Sequence, residues 1–197
     1  MMIQWKKPGT ILALGMLASF FFFAHASEII QKTDNEELIK LYTQGLDDRK
    51  DWDPTTSLKK IGNRDAEHIE RALQLLTEGK VKTTYDFYRM AMLFQHGRTT
   101  ENYRKANAFA WVAATMKPGD VDLMWLTAAT WDRWLMSQGK PQQYGTQYSP
   151  VPGTNTYVLK DFDDSVISDS EREKCGIEKA ADIQRSYKSG PIFEKEK

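Results

Sequence analysis

A single cysteine, Cys175, stands in the 197 residues, so no intramolecular disulfide can form. Stability must come from packing rather than from cross-links. Histidine is nearly as scarce, with copies only at 25, 68 and 96. With no HExxH pair and no cysteine cluster, a dedicated zinc site has no support, and no cofactor is implied. A glycine-rich phosphate loop and a GxSxG elbow are missing too, which argues against P-loop nucleotide binding and α/β-hydrolase chemistry. Nor is there an excess of one charge, since 27 basic residues balance 27 acidic ones. That balance leaves no electrostatic footprint for nucleic acid or for anionic lipid.

What the chain does have begins at its N-terminus. Lys6 and Lys7 form a short positive region, Ile11 to Phe23 is a mostly apolar run, and Ala24-His25-Ala26 is a small-x-small cleavage site before Ser27. Thirteen residues of helix rise only about 20 Å, short of the roughly 30 Å hydrocarbon core. Residues 1–26 therefore read as a secretory signal peptide. The expectation is an extracytoplasmic protein, periplasmic or secreted, that meets a membrane only during export. No cysteine follows the cleavage site to take a lipid anchor. Removing the leader leaves 171 residues with 25 basic and 27 acidic side chains, one domain's worth of chain. The reading is a single domain over 27–187 and a flexible tail over 188–197. Five tryptophans, at 52, 111, 125, 131 and 134, supply aromatic area for its core.

Helical signals fill the first two thirds of that domain. Thr33 with Glu36 makes a capping box before Leu38, Ile39, Tyr42 and Leu46, which predicts a helix from Asp34 to Lys50. Asn63 offers a cap for a second helix carrying Ala66, Ile69, Leu73 and Leu76, stopped by Gly79. Thr84 can cap a third helix, with Phe87, Met90, Ala91 and Phe94, that ends at Gly97. Thr99 or Thr100 starts a fourth with a small-residue stripe of Ala106, Ala110 and Ala113, ended by Pro118 and Gly119. Asp120 caps a fifth running to Gln138, where 11 of the 18 residues from Val121 are apolar; this helix should be central. The expected core includes Leu73, Leu76, Phe87, Phe94, Phe109, Leu126 and Leu135.

After Gly139 the prolines at 141, 150 and 152 exclude a continued helix. Gln143 to Tyr148 and Thr156 to Leu159 have strand-like composition around a Pro152-Gly153-Thr154-Asn155 turn. Ser168 with Glu171 caps a short helix stopped at Gly176, and Ile177 to Tyr187 gives a last one. The fold class is thus mainly α: a helical bundle or helical-hairpin array with a C-terminal irregular segment or small β-hairpin.

Three features could carry chemistry. Asp132 and Arg133 are the only charges in the fifth helix between Asp122 and Lys140, and Asp132 shares a stripe with Trp125, Ala128, Ala129 and Met136. A carboxylate aimed at the core needs a partner, either in a structural ion pair or in a polar cleft. The segment that follows, with Gln142, Gln143, Tyr144, Gly145, Thr146 and Gln147, concentrates donors and acceptors suited to a polar ligand, or to a turn-rich connection. His96, the last residue before Gly97, suits a helix C-terminus as imidazolium, and it is also the best general-base candidate, because His68 lies on a charge-rich face.

Phe94-Gln95-His96-Gly97, Asp132-Arg133, Gly139-Lys140-Pro141-Gln142 and Tyr144-Gly145-Thr146-Gln147 together resemble the signature of a bacterial helical family catalogued as a domain of unknown function. Glu171-Arg172 before Gly176-Ile177 is similar to that family's ending. The resemblance implies that His96, Asp132, Arg133 and the loop from Gln142 to Gln147 belong together, and it implies no reaction; Gln95, beside His96, counts with the loop as a ligand-binding candidate. Three functions fit these residues. The first is a binding module for a small polar ligand or a peptide. The second is a hydrolase-like enzyme with His96 as base, Asp132 orienting it and Arg133 holding an anionic or carbonyl group. The third is a tetratricopeptide-like scaffold for a protein partner, since Tyr85 to Thr115 resembles one such hairpin.

Overall fold

Seven helices and one two-stranded sheet make up the described part of the chain. The structure is a computed structural model and describes residues 33–50, 58–150 and 157–189. The segment 1–26 read as a signal peptide, the turn expected at Pro152-Gly153-Thr154-Asn155 and residues 190–197 of the expected tail lie outside the described residues. The helices are α1 (Glu36–Lys50), α2 (Leu58–Thr77), α3 (Thr84–Phe94), α4 (Thr100–Met116), α5 (Val121–Ser137), α6 (Asp169–Lys174) and α7 (Ala180–Ser189). Strands β1 (Tyr148–Pro150) and β2 (Tyr157–Leu159) pair antiparallel between α5 and α6, with Ser149 opposite Val158. Among the described residues no helix is long and apolar enough to cross a membrane.

Side chains fix most helix starts. Thr99, Asp120 and Ser168 accept backbone N–H groups from Asn102, Leu123 and Glu171 as their caps. Three starts differ from the sequence reading. Asn35 rather than Thr33 caps α1, accepting the Leu38 N–H at 2.8 Å. Thr83 rather than Thr84 caps α3, because Asp86 then falls three residues on and closes a capping box. Helix α2 begins five residues before Asn63; the ion pairs Arg49–Asp65 at 2.8 Å and Arg64–Asp48 at 2.6 Å tie these early turns to α1. Gln143 to Gln147 is loop, not strand. Helix α7 starts at Ala180 and carries Lys188 and Ser189, which the sequence assigns to a loose tail.

Buried Asp86 links α1 to α3 by accepting the Asn35 N–H at 2.8 Å and the Lys82 N–H at 2.9 Å. Helix α3 then lies at the middle of the main core. Met90, Leu93 and Phe94 pack with Leu38 of α1, with Ile69, Ala72 and Leu75 of α2, and with Ala106 of α4. On its other side Ala91 meets Ala110 and Leu126. The short turns between α3, α4 and α5 make these helices antiparallel neighbours. The alanine stripe of α4 allows close approach, and buried Asn107 donates to the Thr127 carbonyl at 3.0 Å. Of the expected core, Phe94, Leu126 and Leu135 are buried, while Leu73, Leu76, Phe87 and Phe109 are half-buried at its margin. A second core joins Ala128 of α5 to Leu159, Cys175, Ile177 and Ile183, so the C-terminal segment is seated on α5.

Candidate functional site

Asp132 and Arg133 are neighbours on α5, and helical geometry turns successive side chains by about 100°. The two charges consequently serve different surroundings. Asp132 is completely buried, and its carboxylate takes four hydrogen bonds from the following loop. One oxygen accepts the N–H groups of Gln143 at 2.8 Å and Tyr144 at 3.0 Å. The other accepts the Thr146 N–H at 3.1 Å and its hydroxyl at 2.7 Å. Gly145, at φ +84°, supplies the left-handed bend that lets the chain curl around the carboxylate. The charge is therefore compensated by oriented N–H and O–H dipoles rather than by a cation.

The loop amides are consumed in the same way. Gln142 is fully buried; its side-chain oxygen accepts the Gln147 N–H at 2.7 Å, and its amide nitrogen donates to the carbonyls of Gln147 at 2.9 Å and Lys160 at 3.0 Å. Gln147 donates to the Ala129 carbonyl at 3.3 Å and to the Thr146 hydroxyl at 2.9 Å. The Gln143 side chain accepts from the Trp131 indole at 2.9 Å, and its carbonyl accepts from Arg172 at 2.7 Å. Tyr144 packs in the C-terminal core, where burial pushes its hydroxyl pKa up. Gln95 is buried with its amide on the Met92 sulfur. The hydrogen bonds of these side chains are thus made within the protein, as in the turn-rich connection that the sequence also allows.

Arg172 closes this arrangement from α6. It is completely buried, donates also to the Ile167 carbonyl, and lies over the Phe162 ring at 5.1 Å. Sequence reasoning noted Arg172 only within a C-terminal motif; nothing local marks it as the group that reaches back 29 residues to Gln143.

Arg133 faces elsewhere. Its guanidinium has no hydrogen bond or acidic partner among the described residues, and its buried Nε is unsatisfied. Burial lowers its pKa, with Tyr103 opposing. His96 lies close enough to feel both this charge and that of Arg49. Burial first, then Arg49 and Arg133, push the His96 pKa down to about 3, so the imidazole is neutral at physiological pH. The imidazolium expected at the end of α3 is thereby overridden by burial. Arg49 differs from Arg133 in being paired: it grips Asp65 with distances of 2.9 and 2.8 Å and donates to the Gly45 carbonyl at 2.7 Å. His68 is buried beside it with Nδ1 unsatisfied, whereas its sequence neighbours suggest an exposed face.

The residues singled out from sequence thus separate into two groups. Asp132, Gln142, Gln143, Thr146 and Gln147 form one hydrogen-bonded network, and His96 lies within electrostatic reach of Arg133 and of Arg49, which the sequence reading did not select. No hydrogen bond between Asp132 and His96 occurs among the described residues. Asp132 as the group orienting a His96 base is therefore not the observed geometry, and an imidazole with so low a pKa is a weak base near neutrality. Among the described residues no three His, Cys, Asp or Glu side chains are grouped to hold a metal. Comparison of the chain with family models, with curated proteins and with solved structures finds no match in any of the three.

Proposed function

We propose that the protein is a binding module for a small anionic ligand, or for the carboxylate of a peptide, taken at the Arg133 guanidinium, whose charge reaches His96. The observation that carries this reading is the half-buried Arg133 guanidinium, whose Nε is withdrawn from water and unsatisfied and which has no acid paired with it among the described residues. Burying a guanidinium without a counter-ion costs stability, and a bound anion offsets that cost. Neutral His96 adds one N–H donor without the strong hydration of a charged group. Nothing in this pair needs a nucleophile or an activated water, which favours binding over hydrolysis. The reading places the protein outside the cytoplasm, supported by the leader-like order of residues 1–26. N-terminal sequencing of exported protein beginning at Ser27 would agree with that placement, and a retained Met1 in the membrane fraction would contradict it.

Calorimetric titration with inorganic phosphate and with acetate tests the site. Binding should weaken at least about tenfold in Arg133→Gln, the loss expected for one charge-assisted contact. The imidazole signals of His96 should titrate at higher pH once the anion is bound. Unchanged affinity in Arg133→Gln, or no binding of either anion by the wild type, would overturn the proposal.

A further inference from the structure

Away from the His96–Arg133 cluster, α3 and the start of α5 enclose a cavity of about 400 Å³. It is lined by the rings of Tyr85, Tyr88 and Trp125, by apolar Met92, Leu123 and Leu126, and by the carboxylates Asp120 and Asp122. Tyr85 and Trp125 are 43 and 44 % exposed, so large ring surfaces face water. Tyr85 and Tyr88 meet edge to face with centroids 6.4 Å apart. A volume of this size is within the range of small-molecule sites, and mainly aromatic walls with two carboxylates, Asp120 and Asp122, define the chemistry such a site accepts.

Two of the lining residues, Tyr85 and Asp120, already engage one ammonium. Lys117 Nζ lies 5.4 Å from the centroid of the Tyr85 ring, donates to the Tyr85 hydroxyl at 3.1 Å and pairs with Asp120 at 2.8 Å. Asp120 is therefore neutralised, whereas Asp122, two residues on, has no cationic partner among the described residues. Its charge reaches the cavity: burial first, then Tyr42 and Asp122, push the Tyr88 hydroxyl pKa up to about 12. Aromatic faces carry a negative quadrupole, and a carboxylate beside them adds a full charge of the same sign. A neutral apolar ligand would use the rings and leave Asp122 unanswered. An organic cation would use both.

We propose that this cavity binds a small organic ammonium cation, its head group on the ring faces of Trp125 and Tyr85 and its charge opposite Asp122. Lys117 then acts as a resident competitor for one ring and for Asp120. The site is independent of the anion site proposed above, since it shares none of its residues.

Titration of the full chain with choline, and in parallel with its uncharged isostere 3,3-dimethylbutan-1-ol, tests this by calorimetry or by tryptophan fluorescence. Choline should bind about tenfold tighter than the isostere, the size expected from a cation on aromatic faces. Trp125→Ala and Asp122→Asn should each weaken choline roughly three- to tenfold while the thermal melt stays unchanged, because both side chains are exposed. Lys117→Gln, which removes the resident ammonium, should tighten choline binding. Equal affinity for choline and the isostere would show an apolar groove with no preference for charge and overturn the proposal. So would an absence of choline binding, full choline affinity in both Trp125→Ala and Asp122→Asn, or unchanged or weaker binding in Lys117→Gln.

Discussion

Asp132 and Thr146 are joined twice, one carboxylate oxygen accepting the threonine's backbone N–H at 3.1 Å and its hydroxyl at 2.7 Å. Both donors point at the same oxygen, and two more backbone N–H groups point at the other. Only an ionised carboxylate satisfies four donors with no donor of its own.

Asp132→Asn should therefore destabilise the fold rather than disable a reaction. An amide placed in that cradle presents an NH₂ to existing donors, and about 2 to 4 kcal/mol should be lost from unsatisfied, buried groups. Urea denaturation of the two proteins measures this. Wild-type stability with lost phosphate binding would contradict the structural role of Asp132.

Arg172 makes a second test of the same network. Replacing it by alanine removes the bonds to Gln143 and Ile167 and the contact with Phe162, and should cost about 3 kcal/mol or more. Arg172→Lys should recover only part of this, since one ammonium cannot fork between two carbonyls while stacking on a ring. Chemical denaturation of both variants gives the order wild type, Lys, Ala; a lysine variant as stable as wild type would contradict the fork.

Arg133→Met should behave in the opposite sense. A thioether of similar length removes a half-buried charge that has no acidic partner among the described residues, so thermal stability should rise by about 1 kcal/mol while phosphate binding is lost. A less stable Arg133→Met would show that the guanidinium supports the fold.

Stability should fall on acidification partly through His96. Its folded-state pKa of about 3 lies below the ordinary value of 6.5, so the unfolded chain takes up this proton first. The contribution is complete above pH 6.5 and is lost as the pH falls toward 3. Melting temperatures measured from pH 7 to 4 should drop less steeply in His96→Gln than in the wild type. Parallel curves would show that His96 titrates normally.

Leu126, 1 % exposed where α3, α4 and α5 meet, should cost roughly 2 to 5 kcal/mol when truncated to alanine. A change below about 0.5 kcal/mol, the size usual for surface sites, would show that these helices do not share that core.

Much of the fold was legible because helix boundaries are local events. Thr99, Asp120, Ser168 and Glu171 announce helix starts through groups a few residues away, and Pro118 and Gly176 announce ends. The start of α2 was not legible, since its early turns are held by ion pairs with α1, tens of bonds distant. The division between β1 and the preceding loop was hidden for a similar reason. Gln143 to Gln147 has strand-like composition, and the carboxylate of Asp132 bends it out of extended form.

The chain's own order of residues determined the mainly helical class, the caps, the break after Gly139 and the oddity of two charges in an apolar helix. It also placed Asp132 within reach of the loop that follows it. Only the tertiary structure decided what each charge does. Two consecutive helical side chains point about 100° apart, so sequence adjacency brings Asp132 and Arg133 no common partner. Asp132 found its donors a few residues on, in a loop that Arg172 clamps from α6. Arg133 was brought within electrostatic reach of His96 by the packing of helices far apart in sequence, and whether a charge is satisfied or left open depends on that packing.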